Sequence, residues 1–343
     1  MSQTIPVSLF RPQVDLTSLN TLGLPARADY LAQPDSLTAL QAALAEAAEA
    51  VHPVLLLGGG SNLMLPPQLH AWVIQPCLNG MACLQDDGDH VIWRVEAGVN
   101  WHQLVMQSVQ QGLYGLENLA LIPGQVGAAP IQNIGAYGVE LKDVLLNVEV
   151  MAVADGQHTT LSVDDCALGY RDSRFKHDWQ DQWVITALHL RLRRQGTPVL
   201  GYGDLAERLA GQVPTPEAIA NTVIQIRQEK LPDPKVLGNA GSFFKNPIIP
   251  VDQATRLRDT YPQMPQHPTT DGQVKIPAAW LIDQCGLKGL RHGAFGVHQR
   301  QPLVLVHFGG GDLRGLLSLA HHIQHHIADR FGIHLEPEPR LIQ

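Results

Sequence analysis

Ile122-Pro123-Gly124-Gln125-Val126-Gly127-Ala128-Ala129-Pro130-Ile131-Gln132-Asn133-Ile134-Gly135-Ala136-Tyr137-Gly138 carries four glycines, two prolines and no charged side chain. A solvated linker is richer in charge, so this stretch belongs inside a fold. Its small residues let the main chain offer N–H and C=O groups at close range, as a flat or extended cofactor requires. The plainer alternative is a buried irregular crossing.

A second glycine run lies upstream. The apolar segment Val54–Leu57 reads as a short buried strand and runs into Gly58-Gly59-Gly60-Ser61-Asn62. Successive N–H groups in such a turn can form a nest for an anion. A Rossmann fingerprint would need a third glycine at position 63, which is Leu63, and Pro66 and Pro67 oppose a helix there. No Gly-Lys pair occurs in the chain, so it is not a P-loop. Tight turn and ligand loop both remain open for this string.

Around these loops, helix and strand signals alternate. Asp35 or Ser36 can cap a helix bearing Leu37, Leu40 and Leu44. Trp72–Ile74, Val91–Glu96 and Val184–Leu192 read as strands. Asn100 caps a helix with Trp101, Leu104, Val105 and Val109 on one face, and Gly112 fits its end. Val148–Ala154, Asp155-Gly156 and His158–Leu161 predict a hairpin with a type I′ turn. Pro216 opens a helix that ends before Leu231-Pro232. Another runs from Pro277 to Gln284, Leu303–Val306 is a strand, and the last helix carries Leu313, Leu316, Ala320, Ile323 and Ile327. A domain boundary is expected near residues 195–205.

With 343 residues, 45% hydrophobic and 16% charged, the chain can bury sizeable cores in about two domains. The net charge of −8 argues against a general nucleic-acid binder. Four cysteines with no Cys-x-x-Cys fit reduced thiols in a cytoplasmic protein. Met1–Gln13 lacks a basic flank before an apolar run, so no signal peptide is read, and no apolar run is long enough to span a membrane.

Several strings could carry chemistry. In Asn239-Ala240-Gly241-Ser242-Phe243-Phe244-Lys245-Asn246-Pro247 a hydroxyl sits among small and aromatic residues, a setting that core packing alone does not require. Gly169-Tyr170-Arg171-Asp172-Ser173-Arg174-Phe175-Lys176 reads by composition as a solvated loop with an Arg–Asp pair, although Arg171 could clamp a carboxylate. Arg227 and Lys230 share a helical face that would suit a phosphate, or merely solvent. His321-His322-Ile323-Gln324-His325-His326 has zinc-compatible spacing, but the apolar stripe lies opposite, so a solvated face is the reading and no metal is expected. Glu336 and Glu338 point the same way if Leu335-Glu336-Pro337-Glu338 is extended.

Together these strings resemble the UDP-N-acetylenolpyruvoylglucosamine reductase family, of the first type with a tyrosine loop. The resemblance runs from Asn20-Thr21-Leu22-Gly23 to Glu338. It rests on the strings at 58–62, 122–124 with 132–138, 169–173, 230–235 (Lys-Leu-Pro-Asp-Pro-Lys), 238–247 and 335–338, and on Tyr202-Gly203-Asp204-Leu205.

The resemblance implies an α+β fold. Residues 20–195 would form an FAD-binding part of the vanillyl-alcohol-oxidase (PCMH) type with two subdomains. Residues 205–330 would bind substrate, and 331–343 would return to the active site. It implies a monomer that binds FAD non-covalently, takes NADPH as co-substrate and acts on a UDP-sugar in peptidoglycan precursor synthesis. Arg171, Ser242 and Glu338 match catalytic positions. Gly58, Gly59, Gly60, Ser61, Asn62, Ile122, Pro123, Gly124, Gly127, Ala128, Ala129, Ile131, Gly135, Tyr137, Gly138 and Gly241 match flavin positions. Tyr202, Arg227, Lys230, Asn246, Lys275 and Gln301 match positions that hold the UDP-sugar. Ala128 and Ala129 depart from the two serines of well-known members, which leaves backbone N–H groups to serve the flavin pyrophosphate. Glu338 would be protonated or paired with Arg171, and NADPH and the UDP-sugar would take turns in one pocket, giving ping-pong kinetics. The alternatives are a flavin oxidase of the same fold acting on a sugar or lactone, and a flavin- or nucleotide-binding module without activity.

Overall fold

The structure, a computed structural model, describes residues 8–269 and 271–342. Met1–Val7, at the head of the stretch read for a leader, and Thr270 and Gln343 lie outside the described residues. The chain forms two compact units that interleave in sequence. The first comprises residues 1–14, 28–59 and 70–227, and the second comprises 15–27, 60–69 and 228–343.

The first unit is built on a five-stranded antiparallel sheet. Its order is His158–Ser162, Leu145–Ala152, Trp183–Arg193, His90–Glu96, Met81–Asp86. Period-2 alternation gives this sheet an apolar face and a polar one. Val91, Trp93, Val95, Val148, Val150, Leu188, Leu190 and Leu192 enter a core shared with Trp101, Leu104, Val105 and Val109 of helix Trp101–Gln110. Asn100 caps that helix by accepting from the Gln103 N–H at 3.0 Å, and Gly112 follows it at φ +70°. The polar face carries Arg94, whose Nε and Nη2 clamp Glu149 at 2.8 and 2.7 Å.

A smaller core in the same unit gathers Leu40, Ala43, Leu44 and Ala47 of helix Leu37–Glu49 around Phe10, Ile74, Met151 and Val184. Ser36, not Asp35, is the cap, accepting from Ala39 N–H at 3.2 Å. Val54–Leu56 pairs in parallel with Gln68–Ile74.

The predicted type I′ hairpin turn is corrected. Type I′ needs positive φ at both central residues, and here Gly156 is at +68° while Asp155 is not in that region. Ala152 instead closes against Gln157 (2.8 Å) around a longer loop, with Gly156 N–H donating to Ala152 O.

The second unit has a four-stranded sheet in the order Gly238–Ser242, Val304–His307, Phe295–Val297, Arg291–His292, and a three-stranded sheet in the order Ile248–Ile249, Val274–Lys275, His267–Pro268. Helices Val251–Thr260, Ala278–Gln284 and Leu313–Phe331 cover its core. The C-terminal segment adds to this unit twice. Lys245 N–H donates to Glu336 O and Glu338 N–H to Phe243 O, and Arg340–Leu341 pairs in parallel with Leu63–Met64. No helix among the described residues is long and apolar enough to cross a membrane.

Candidate active site

In the first unit the two glycine-rich strings meet. A Cβ on Gly59 would lie 2.9 Å from Gly124 Cα, and one on Gly58 would lie 3.2 Å from Ala128 Cβ. Loop-on-loop packing therefore requires glycine at Gly59, against main chain, and leaves little spare room at Gly58. Gly60 belongs to the second unit, where a Cβ would come within 1.9 Å of Leu19 O at φ +62°. Ser61 and Asn62 follow it there, and Asn62 Nδ2 donates to Glu338 O at 3.3 Å.

The stretch 122–138 is pinned from both ends. Val126 and Gly127 N–H donate to Val99 O and Ala97 O, each at 2.9 Å. Gly127 abuts Ala97, to which a Cβ would approach within 2.6 Å. Asn133, buried at φ +42°, donates through Nδ2 to Gly169 O (2.9 Å) and Glu140 Oε2 (3.0 Å). Ser173 Oγ donates to Ile131 O at 2.7 Å, and Arg171 Nη2 to Gly135 O at 2.7 Å. The Arg171 string is thus stitched to the glycine-rich stretch. The Arg–Asp pairing read from composition takes another form: Asp172 faces His177 (2.8 Å), and Arg174 binds Asp178.

Arg171 itself is half-buried at φ +54°, a left-handed conformation that costs a side-chain-bearing residue about 1–2 kcal/mol. Arg227 stands near it. Burial, with Arg171 alongside, pushes the Arg227 guanidinium below its ordinary pKa, and Tyr137 nearby pulls it back. Its Nε is buried without a hydrogen-bond partner among the described residues. A buried guanidinium nitrogen left short of an acceptor is the mark of a site that expects an anion. Tyr202, 59% exposed, meets Tyr137 edge to face at 5.9 Å. Lys230 is exposed at the end of the same helix, Pro216–Lys230, in the second unit.

Ser242 ends its strand in the second unit and is exposed. Its hydroxyl makes no hydrogen bond with another described residue. Phe243 and Phe244 anchor it; both are buried, with rings 5.1 Å apart. Their burial is worth about 1.5–3 kcal/mol each. Asn239 shapes the approach: its Oδ1 accepts from Gly241 N–H at 2.9 Å across a bulge with Gly241 at φ +70° and no atom crowding its Cβ position. Because Glu338 N–H donates to Phe243 O at 2.8 Å, the fold holds Glu338 beside Ser242 along the chain pairing. Asn246 Oδ1 accepts from Ala278 N–H (2.9 Å) at the start of helix Ala278–Gln284, leaving its NH2 as the group able to donate. Lys275 pairs with Ile248 in the three-stranded sheet, and Gln301 O accepts from Val304 N–H (3.0 Å) at the turn into the next strand.

Two polar residues of this region escaped the sequence reading. Asn118 is buried and donates to both Tyr137 O and Val199 O at 2.8 Å, tying the stretch before Tyr202 to the glycine-rich loop. His102 accepts from Leu121 N–H at 3.1 Å. A polar pair, Glu117-Asn118, inside the apolar run from Leu116 to Ile122 was the available signal for the first.

The residues fit a flavin. The N–H groups of Gly58 and Gly59 take no part in hydrogen bonds with other described residues, so they are open to a pyrophosphate. Those of Ala128 and Ala129 are spent on Gln125 O and Val126 O at 3.0 Å each, so they are not the donors that replace the two missing serines.

Comparison with known proteins agrees. A family model described as an FAD binding domain matches residues 28–162. One described as UDP-N-acetylenolpyruvoylglucosamine reductase, C-terminal domain, matches residues 233–342. The chain is an FAD-dependent oxidoreductase of α+β fold.

Proteins named UDP-N-acetylenolpyruvoylglucosamine reductase match along nearly their whole length. That of Chromobacterium violaceum is 49% identical over 338 residues, covering 97% of this chain and 99% of the relative. That of Escherichia coli is 45% identical over 327 residues, covering 94% of each. The crystal structure of the reductase from Thermus caldophilus superposes with a TM-score of 0.67 at 25% identity, covering 97% of this chain and 100% of that one. The chain belongs to the UDP-N-acetylenolpyruvoylglucosamine reductase family. These full-length matches favour the reductase over the sugar or lactone oxidase and the inactive module.

Proposed function

We propose that the protein reduces the enolpyruvyl ether of a UDP-N-acetylglucosamine to the lactyl ether of UDP-N-acetylmuramate, with NADPH as electron donor and FAD bound non-covalently. In this reading the protein serves cell-wall precursor synthesis in the cytoplasm. The observation that carries this reading is Ser242: an exposed hydroxyl on a strand end fixed by two buried phenylalanines, paired along the main chain with the segment bearing Glu338. FAD, when bound, supplies hydride transfer, from NADPH and then to C3 of the enolpyruvyl group.

Negative charge then builds at C2 and spreads onto the substrate carboxylate. Arg171 supports it with a permanently charged, planar guanidinium able to bind a carboxylate as a fork. Ser242 delivers a proton to C2; a weak acid suffices because the carbanion is a strong base. Glu338 orients or donates a hydrogen bond at this centre. Arg227 and Lys230 neutralise the diphosphate, which supplies the acceptor that the buried Arg227 Nε lacks. Tyr202, Asn246, Lys275 and Gln301 complete the hold on the UDP-sugar. Gly58 and Gly59, with Gly60, Ser61, Asn62 and the 122–138 stretch, hold the flavin.

Half-reactions measured anaerobically test the assignment. Ser242→Ala is expected to leave flavin bleaching by NADPH intact. Reoxidation by the enolpyruvyl UDP-sugar should slow by roughly 10²- to 10⁴-fold. Equal loss in both half-reactions refutes the proton-donor role.

A further inference from the structure

Residues 101 and 102 grip the chain that leads into the glycine-rich loop at three points. Trp101 Nε1 donates to Leu119 O at 3.0 Å, Trp101 N–H donates to Gly124 O at 3.1 Å, and Leu121 N–H donates to His102 Nδ1 at 3.1 Å. The third is the unusual one. Leu121 is at φ +59°, a conformation disfavoured for a residue with a branched side chain. Something outside the turn must hold it there, and the His102 lone pair is the contact made to the strained residue's own amide.

We infer that His102 is a positioning residue for the flavin loop: its neutral imidazole, accepting at Nδ1, locks Leu121 in the turn that presents Ile122–Gly124. This rests on the reading that residues 122–129 hold FAD. An imidazole that accepts at Nδ1 carries its proton on Nε2. A second proton would take the Nδ1 lone pair and turn the acceptor into a donor facing a donor, so the lock works only while His102 is neutral. The charged groups set against this corner are Arg227, on helix Pro216–Lys230, and Glu117, on the 3-10 turn Glu117–Leu119 packed against helix Trp101–Gln110. Arg227 opposes protonation. The Glu117 carboxylate is turned to Gly115 N–H at 2.6 Å. Burial first, and Arg227 second, lower the pKa of His102 and keep it neutral near neutral pH.

The inference links FAD retention to pH. Affinity should hold through the ordinary imidazole range and fall only at lower pH, as the lowered pKa of His102 is passed. The test titrates FAD onto apoprotein, by quenching of flavin fluorescence, for the wild type, His102→Leu and His102→Asn. Asn places a neutral acceptor near the position of Nδ1. At pH 8 the Leu variant should bind roughly tenfold more weakly, the effect of one lost hydrogen bond at a loop that must be preorganised, and the Asn variant about as well as wild type. Between pH 8 and 4.5 wild-type affinity should fall at the acid end, as the lowered pKa of His102 is passed, while the Asn variant stays comparatively flat. Hydrogen exchange at the Leu121 amide of the apoproteins gives a reading without FAD: slow in wild type and Asn, fast in Leu. Equal FAD affinity and equal Leu121 protection in all three proteins overturn the inference, as does an identical pH profile for wild type and Asn. Wild-type protein that fails to take up FAD instead overturns the flavin reading, while Leu121 exchange still decides the role of His102. If His102→Leu does not fold, the pH comparison of wild type with Asn decides alone.

Discussion

Three consecutive glycines make a graded experiment. Ordinary contact for an added methyl begins at 3.4 Å. Gly58→Ala would place its Cβ 3.2 Å from the Ala128 methyl, a side-chain contact that relaxes easily. The expected cost is at or below about 1 kcal/mol, the mild end of overpacking. Gly59→Ala meets the Gly124 main chain at 2.9 Å, so the two loops must part. About 2–3 kcal/mol is expected, together with roughly tenfold or greater loss of FAD affinity, because the cradle itself is pried open. Gly60→Ala strikes Leu19 O at 1.9 Å from a φ of +62°. Left-handed strain of about 1–2 kcal/mol adds to overpacking of about 3 kcal/mol or more. The second unit should lose most of its stability. Urea unfolding of the three apoproteins, with FAD titration of those that fold, gives the order. A Gly60→Ala protein as stable as Gly58→Ala, or a Gly59→Ala protein with wild-type FAD affinity, would refute the reasoning.

Arg227→Met removes a half-buried cation whose buried Nε lacks an acceptor among the described residues, so stability should be unchanged or rise by about 1 kcal/mol while KM for the UDP-sugar increases at least tenfold; a clear drop in Tm would show that the guanidinium is structurally paired. Glu149 gives a pH prediction. Burial pushes its carboxyl up, but Arg94 and His189 outweigh this and hold it at about 2 against an ordinary 4.5. A depressed carboxylate pKa stabilises above the unfolded value, so this contribution is present above pH 4.5 and is lost as pH falls toward 2. Glu149→Gln should cost about 3 kcal/mol at pH 7 and flatten the acid limb of the stability profile in that window.

Local chemistry made much of the fold legible. The Asn100 cap, Pro216 opening its helix and the apolar stripe of Leu313–Phe331 each state their structure within a few residues. The hairpin at Asp155-Gly156 was misjudged because the dipeptide matches a two-residue turn, whereas strand pairing set a longer loop. Interleaving was not legible, since no local signal says that residues 15–27 and 60–69 pack with the C-terminal part. The site strings stood out through their glycines, but the second use of those glycines, as contacts between loops, appears only in three dimensions. His102 and Asn118 act through main-chain partners, and a sequence does not record which carbonyl or amide a side chain will reach.

The edge at Phe243–Lys245 and the short strand Leu63–Met64 are both completed by residues 336–341. These are translated after everything they pair with. A nascent chain that has reached helix Leu313–Phe331 but not Glu336 therefore carries two unsatisfied main-chain edges, one of them beside a phenylalanine pair. Such edges recruit other strands. Proteolytic trimming at Leu335 would recreate them in the mature protein. One clipped bond would then produce a self-associating species.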